Sequence, residues 1–493
     1  MTNKEGSGSN SSLNILIFRY KANSYAMKRS VVIGGVVASI LFILSTRLSG
    51  RQGDPDPAPR PVYIPASQQR LGDPAVGYAY VVEGDYLRSG IPYDLYVMVY
   101  GKDKHHYLKR DSANSNIPYN FTAVKAPNGV MVVVPNCLQC HAQVFGDKLI
   151  VGLGNTDLDF THNQRSGIQA MKTLLKTFSG KGSEKYAAAA DFIRVTSAIS
   201  PSLMTQVRGV NAADRLAALL AAHRDPVTLH WIDTPALSIP DQVVPTDVPA
   251  WWLLKKKHAM FYNGFGRGDF GKFLMASNLL TVNDSAEANA VDRHIPNVLS
   301  WLLTLEPPKY PYAVDSALAA RGRLVFNTSC AHCHGTYGPS GEYPNLLIPE
   351  SIIRTDSFLY KSNFQYPQFI EWFNSSWFSS GPYPAQLSPF DGYIAPPLDG
   401  IWITAPYLHN GSVPTLEALL DSKKRPVFWS RFSGSKTTYD YDGVGFQYKT
   451  YSAPGGSSVY NTTLPGYGNY GHTFGDKLTD QERREVLEYL KTL

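Results

Sequence analysis

Apolar residues recur at helical spacing in the stretches that close the two halves of the chain. In "LTDQERREVLEYLKTL", Val486, Leu487, Leu490 and Leu493 share one face. That stretch opens on a capping box, with Thr479 as N-cap and Glu482 three residues on. "AEANAVDRHIPNVLSWLLTL" predicts the matching helix of the first half, interrupted or begun at Pro296. Both end in Leu-x-Thr-Leu, at 302–305 and 490–493. "VDSALAARGRLVFNTS" predicts a further helix, with Ala317, Leu318, Leu324, Val325 and Phe326 available for one side. Alanine-rich segments within 183–224 predict an all-α insertion. Segments 357–390 and 425–468, rich in Tyr, Ser, Gly and Pro, read as ordered loops rather than core.

One apolar run has a different character. "SVVIGGVVASILFILST" (30–46) has no internal charge and follows Lys28 and Arg29. It predicts a transmembrane anchor or uncleaved signal over 30–47, behind a cytoplasmic leader at 1–29. A cleaved signal and a buried core helix are the alternatives. Either favoured reading exports the rest of the chain. Residues 48–70 read as a proline-rich linker, so the folded part is expected to begin near 70.

The 493 residues allow two or three domains, and a formal charge of +6 is mild for that length. No basic stripe with interleaved aromatics occurs, which argues against nucleic acid as a partner.

The chain has four cysteines, and all lie in two Cys-x-x-Cys-His pentapeptides: Cys137, Cys140 and His141, then Cys330, Cys333 and His334. This is the attachment spacing of a c-type haem, with two thioethers to the ring and an adjacent imidazole for the iron. A four-cysteine zinc site or a disulfide would leave both histidines unexplained. The expected cofactors are two covalently bound haems c. Each motif is followed, about 165 residues on, by a Leu-x-Thr-Leu helix, an internal duplication at domain scale. The expected fold is mainly α: two tandem cytochrome c-like domains with long irregular loop insertions, at 71–310 and 311–493.

A six-coordinate haem needs a second axial ligand, usually Met or His. The last methionine is Met275, so the second domain has none of its own. His472, in "NYGHTFGDKLTDQE" just ahead of the final helix, is the first candidate, as in small cytochromes c, which this plan resembles. His409 is the runner-up, followed by an open or Tyr-ligated iron. For the first haem several histidines and methionines, Met275 among them, leave the sixth position open.

"GIWITAPYLHNGSVPTLEALL" (400–420) resembles the signature of the bacterial dihaem cytochrome c peroxidase superfamily. "LEPPKYP", "SCAHCHGTYG" and "GHTFGDKLTDQERREVLEYLKTL" resemble its rubber-oxygenase branch most closely. The resemblance covers about 130–493, patchily in the first half. It implies two α-helical haem domains packed together, with His409 structural or near the haems. It implies one calcium ion held through the carbonyls of Thr404 and Pro406. In "FYNG" (261–264), Tyr262 stands where the family has a tryptophan between the haems, so that relay is altered here; a core aromatic is the alternative. The peroxidases' distal carboxylate has one candidate, Glu287, in no recognisable motif. Phe261, Phe265 and Phe273 would give an apolar distal pocket suited to dioxygen and an organic substrate.

These observations lead to an exported oxidoreductase with one haem open to O2 or peroxide and one bis-histidine haem. Its partners would be a periplasmic electron donor or acceptor and the membrane, through the N-terminal segment. A membrane-anchored dihaem electron carrier is the alternative.

Overall fold

A helix that meets another at a glycine can approach it backbone to backbone, and two such crossings frame this molecule. The structure is a computed structural model that describes residues 59–432 and 438–493. Helix α1 (Pro74–Glu83) starts at Asp73, whose carboxylate accepts from the Ala75 N–H. Helix α2 (Arg165–Ser179) precedes the alanine-rich insertion, which holds α3 (Glu184–Ile199) and α4 (Ala213–Ala222). Then come α5 (Ile295–Leu302), α6 (Ser316–Ser329), α7 (Gln368–Asn374) and α8 (Asp480–Leu490).

Helix α1 meets α5 at Gly77, where a Cβ would lie 1.9 Å from the Asn297 carbonyl oxygen. Helix α6 meets α8 at Gly322, where a Cβ would lie 1.8 Å from the Glu485 carbonyl oxygen. Asn297 and Glu485 occupy the same place relative to their Leu-x-Thr-Leu ends. The ends also close alike: the Thr304 hydroxyl donates to the Trp301 carbonyl at 2.7 Å, and Thr492 to Tyr489 at 2.6 Å. So α1 is the first-half counterpart of α6. Its distance from the first cysteine motif hides it in the sequence. The intervening chain carries a sheet in which Met131–Pro135 pairs with both Ile91–Pro92 and Phe121–Lys125.

The capping box at α8 is present in both directions. Pro296 lies in the first turn of α5, and a separate helix, Ser285–Asp292, precedes it. Proline there forfeits an N–H that has no helical partner anyway. The buried face of α6 is Ala319, Gly322 and Phe326, whereas Leu324, expected inside, is 68% exposed. The close approach at Gly322 sets which face turns inward.

Two further expectations are corrected. The fold begins before 70: Val62–Tyr63 pairs antiparallel with Leu346–Pro349, which also pairs with Gly392–Ile394, and Ile64 is buried. Residues 357–390 are not loops outside the core. Ile370, Trp372, Phe373, Trp377 and Phe378, on and after α7, join the core around Leu138, Trp251 and Phe273. Five large apolar side chains in a short stretch bury too much surface to stay outside. Conversely, Leu153, Ala250, Trp252 and Leu253 lie in the core with Phe326, Trp402 and Tyr489. The two cores therefore exchange segments across residue 310.

The apolar run at 30–47 lies outside the described residues. Among those described, no helix is long and apolar enough to cross a membrane.

Candidate haem-attachment sites

Each cysteine motif folds into one helical turn because its first residue's carbonyl accepts the histidine's N–H. His141 N donates to Cys137 O at 3.1 Å, and His334 N to Cys330 O at 3.1 Å. The turn brings both thiols and the imidazole to one side. The second turn ends at Gly335, whose φ is +80° and whose Cβ would lie 2.3 Å from the Glu342 carbonyl oxygen, so only glycine fits. In the first, the Asn136 side chain accepts from Leu138 N at 3.0 Å and anchors the start. None of the four cysteines is in a disulfide, and burial pushes the thiols of Cys137 and Cys330 up to about 11. Among the described residues no group of three or more His, Cys, Asp or Glu side chains gathers into a metal site. The four-cysteine zinc alternative therefore fails: the two pairs sit in different cores.

At the second motif, the Pro396 carbonyl lies 2.8 Å from His334 Nδ1. An Nδ1–H donated there leaves Nε2 with its lone pair free for a metal. The Tyr337 hydroxyl donates to the His334 carbonyl at 3.1 Å and accepts from Leu398 N at 2.6 Å, holding the 396–398 strap over the motif. His472 faces His334, with ring centres 6.0 Å apart. Two metal–imidazole bonds of about 2 Å would hold two ring centres about 6 Å apart. The pair therefore fits a single iron between them.

Local backbone aims His472. Its φ is +45°, its N–H donates to the Ile353 carbonyl at 2.8 Å, and Arg425 Nη2 donates to its carbonyl at 3.0 Å. Its own Nδ1 is buried without a partner among the described residues. Burial, with help from His334 and Arg425, pushes His472 down to about 3; burial lowers His334 too. Both rings are thus neutral near pH 7, the form that ligates.

The first motif is built differently. His141 stacks on Trp251 with ring centres 4.4 Å apart, and its Nδ1 is also buried without a partner. Burial holds His141 at about 3. Cys137 N donates to the Tyr86 hydroxyl at 3.0 Å. Beside Cys137 lies an apolar cavity lined by Tyr80, Trp251, Met275, Ile295 and Val298. Two thiols, a neutral imidazole and apolar walls suit a haem here as well. Among the described residues, no second imidazole stacks against or faces His141 in the way His472 faces His334.

The remaining candidates lie elsewhere. His409 Nε2 is 3.0 Å from the Tyr393 hydroxyl, its ring stacks on Tyr393, and its carbonyl accepts from Asp247 N at 2.7 Å. The runner-up ligand is thus engaged in a buried network through Tyr393 and Asp247. The Tyr262 hydroxyl donates to Asp247 at 2.8 Å, and burial pushes Asp247 up to about 7. Phe261, at φ +69°, packs with Phe265 and Phe273 in an aromatic cluster that continues into Phe373. Thr404 Oγ1 donates to the Ile401 carbonyl, and a cis bond precedes Pro406. Glu287, offered as a distal carboxylate, instead accepts from Asn283 N at 3.0 Å at the start of its own helix. A helix end with unpaired N–H groups claims it.

Sequence reasoning missed Trp251 and Trp252. The first stacks on His141 in one core; the second lies in the other and donates to the Asp399 carbonyl at 2.8 Å. Only the doubled tryptophan before three lysines signals them.

Two Cys-x-x-Cys-His turns set in packed cores have the arrangement by which c-type cytochromes tether haem. A family model described as RoxA-like, cytochrome c-like matches residues 392–430, which include the strap over His334. The match supports a haem c protein of the rubber-oxygenase-like kind. The chain is 25% identical over 292 residues to the uncharacterised protein y4iM of Sinorhizobium fredii, covering 52% of this chain and 66% of that protein. It is 43% identical over 112 residues to the uncharacterised protein y4iJ of the same organism, covering 20% of this chain and 18% of that one. The chain spans less than two thirds of either relative's length.

Proposed function

We propose that the chain is an exported dihaem c oxidoreductase. A haem on Cys137, Cys140 and His141 has one face open to O2 or peroxide. A haem on Cys330, Cys333, His334 and His472 is six-coordinate and relays electrons. The observation that carries this reading is the asymmetry between the motifs: one imidazole pair at 6.0 Å against a lone His141 stacked on tryptophan.

When bound, a c-type haem supplies one-electron storage and, at an open axial position, binding of small oxidants. This chain's residues do the rest. The Pro396 carbonyl orients His334, and Arg425 with the Ile353 carbonyl holds the backbone of His472. The apolar cavity beside Cys137 excludes water. Trp251 and Trp252, adjacent in sequence and one in each core, offer an aromatic route between the sites. A periplasmic electron partner, an organic substrate and membrane attachment through 30–46 belong to the same proposal.

The test is the optical and paramagnetic resonance spectrum of the purified chain, with and without CO and peroxide. One high-spin and one low-spin haem are expected. Two low-spin haems indifferent to both ligands would sink the oxidoreductase reading. They would favour the second, a dihaem electron carrier, whose supporting observation is buried Met275 in the cavity beside Cys137.

A further inference from the structure

Aromatic rings run without a break from the surface of the chain into its second core. Tyr312 is 60% exposed. Its ring centre lies 4.7 Å from that of Tyr441 and 6.1 Å from that of Tyr310. Trp402, a buried residue, comes next, 5.5 Å from Tyr310 and 6.5 Å from Tyr441. Phe145 follows, 5.9 Å from Trp402. Each separation falls within the range of aromatic contact. The inner end adjoins both cysteine motifs. Cys330 packs against the core that holds Trp402. Phe145 ends the strand Ala142–Phe145, which begins next to His141, so the Cα atoms of Phe145 and His141 are at most about 14 Å apart.

Packing alone does not account for the outer rings. Exposed Tyr312 buries little apolar surface, and Tyr310 and Tyr441 are only half-buried. Tyrosine and tryptophan are the ring side chains that can give up one electron. A tyrosine then sheds its phenolic proton, and an exposed hydroxyl hands that proton to water. Tyr312 is placed to do so. Further in, the Tyr310 hydroxyl donates to the Tyr441 carbonyl at 2.8 Å, and Trp402 Nε1 to the Pro308 carbonyl at 2.8 Å. Carboxylates fringe the outer end: Asp440 and Asp442 flank Tyr441 in the chain, and Asp442 is exposed. Burial, reinforced by Glu488, Asp442 and Asp440, pushes Tyr310 up to about 12. Glu488 is paired with Lys491 at 2.9 Å. Free carboxylates beside the rings favour a donor that becomes a cation when it loses an electron. An aromatic amine does this, and its ring can stack on tyrosine.

Building on the oxidoreductase reading above, we propose that Tyr312 is a surface oxidation site for aromatic amines, connected through Tyr441 and Tyr310 to Trp402. Hydrogen peroxide, reduced at the first haem, is the oxidant. Each electron it draws leaves Tyr312 through the rings, and the phenolic proton leaves to water. The amine then gives one electron to the tyrosyl radical, which takes a proton back. For each peroxide, two amines become radical cations, and the peroxide with two protons becomes two waters. The amine never enters the cavity beside Cys137.

The test uses the full haem-loaded chain, hydrogen peroxide and N,N,N′,N′-tetramethyl-p-phenylenediamine. The optical response of the haems to peroxide is read first. A chain that does not respond sinks the oxidoreductase reading and this site with it. In a responsive chain, Tyr312→Phe and Trp402→Phe should each cut amine oxidation by about tenfold or more while the response to peroxide keeps its rate. Tyr63→Phe, at a tyrosine that is 59% exposed and packs on His258, should change nothing. With the amine left out, a nitroso spin trap should label Tyr312, as read by peptide mass spectrometry, and Trp402→Phe should lose that label. No amine oxidation, or oxidation as fast in Tyr312→Phe as in the wild type, overturns the site and leaves the peroxide reading standing. So does a Tyr312 label that survives Trp402→Phe, or labels confined to other tyrosines.

Discussion

The crossing of α6 and α8 at Gly322 holds the second motif in place, since Cys330 follows directly on α6 and its N–H donates to the Phe326 carbonyl at 2.8 Å. Gly322→Ala tests it. The added Cβ would lie 1.8 Å from the Glu485 carbonyl oxygen and 3.0 Å from the Tyr489 Cβ. Both are rigid parts of a helix, so α8 must move away by about 1 Å or more. Overpacking of this kind costs about 1–3 kcal/mol, while alanine returns up to about 1 kcal/mol in helix propensity. A net loss of about 1–2 kcal/mol is expected. Gly167→Ala is the control. Gly167 lies in α2 with nothing within 4 Å of a Cβ, so the same change should stabilise by about 0.5–1 kcal/mol. The assay is guanidinium unfolding followed by circular dichroism, with haem content measured in parallel. Opposite shifts of the two midpoints are expected. If Gly322→Ala matches wild type or moves with Gly167→Ala, the helices do not cross at this contact and the reasoning is refuted.

His472→Ala should convert one haem from low-spin to high-spin and let it bind CO; spectra and potentials that do not change would remove His472 from the iron. Trp252→Leu should slow electron equilibration between the haems while both potentials stay put, as read by rapid partial reduction; an unaltered rate rules out the tryptophan route. The pH dependence of stability has a definite sign at His409. Burial holds it at about 3 in the fold, below its unfolded value of about 6.5, so the unfolded chain takes up the proton first. Its contribution is therefore fully present above about pH 6.5 and is lost as pH falls toward 3. At pH 5 the loss is about 2 kcal/mol, and His409→Gln should flatten the guanidinium midpoint between pH 7 and 5 by that much. An equal slope in both chains would show that His409 is already protonated or solvated in the fold.

Much of the candidate site was legible because its logic is local. Cys-x-x-Cys-His spans one helical turn, and its chemistry is complete within five residues. The capping box at Thr479 and the start of α5 at Pro296 are likewise decided by neighbours in the chain. His472 could be singled out because the methionines stop at Met275, and the structure brings its ring opposite His334. What was misread depends on distant partners. Leu324 fits a helical stripe, but α6 turns Gly322 inward instead. Glu287 is an acid in the right half of the chain, yet the helix end beside it takes its carboxylate.

By itself, the sequence determined two Cys-x-x-Cys-His motifs, the duplicated Leu-x-Thr-Leu ends and a short choice of candidate axial ligands. Only the tertiary structure decided that α1 is the partner of α5, that α7 fills the first core, that Trp251 stacks on His141, and that Tyr310 and Tyr441 join exposed Tyr312 to buried Trp402. The reason is physical. Turns and caps are settled by bonds between residues a few positions apart. Close approach, stacking and charge burial depend on which remote surfaces meet, and residue spacing does not encode that.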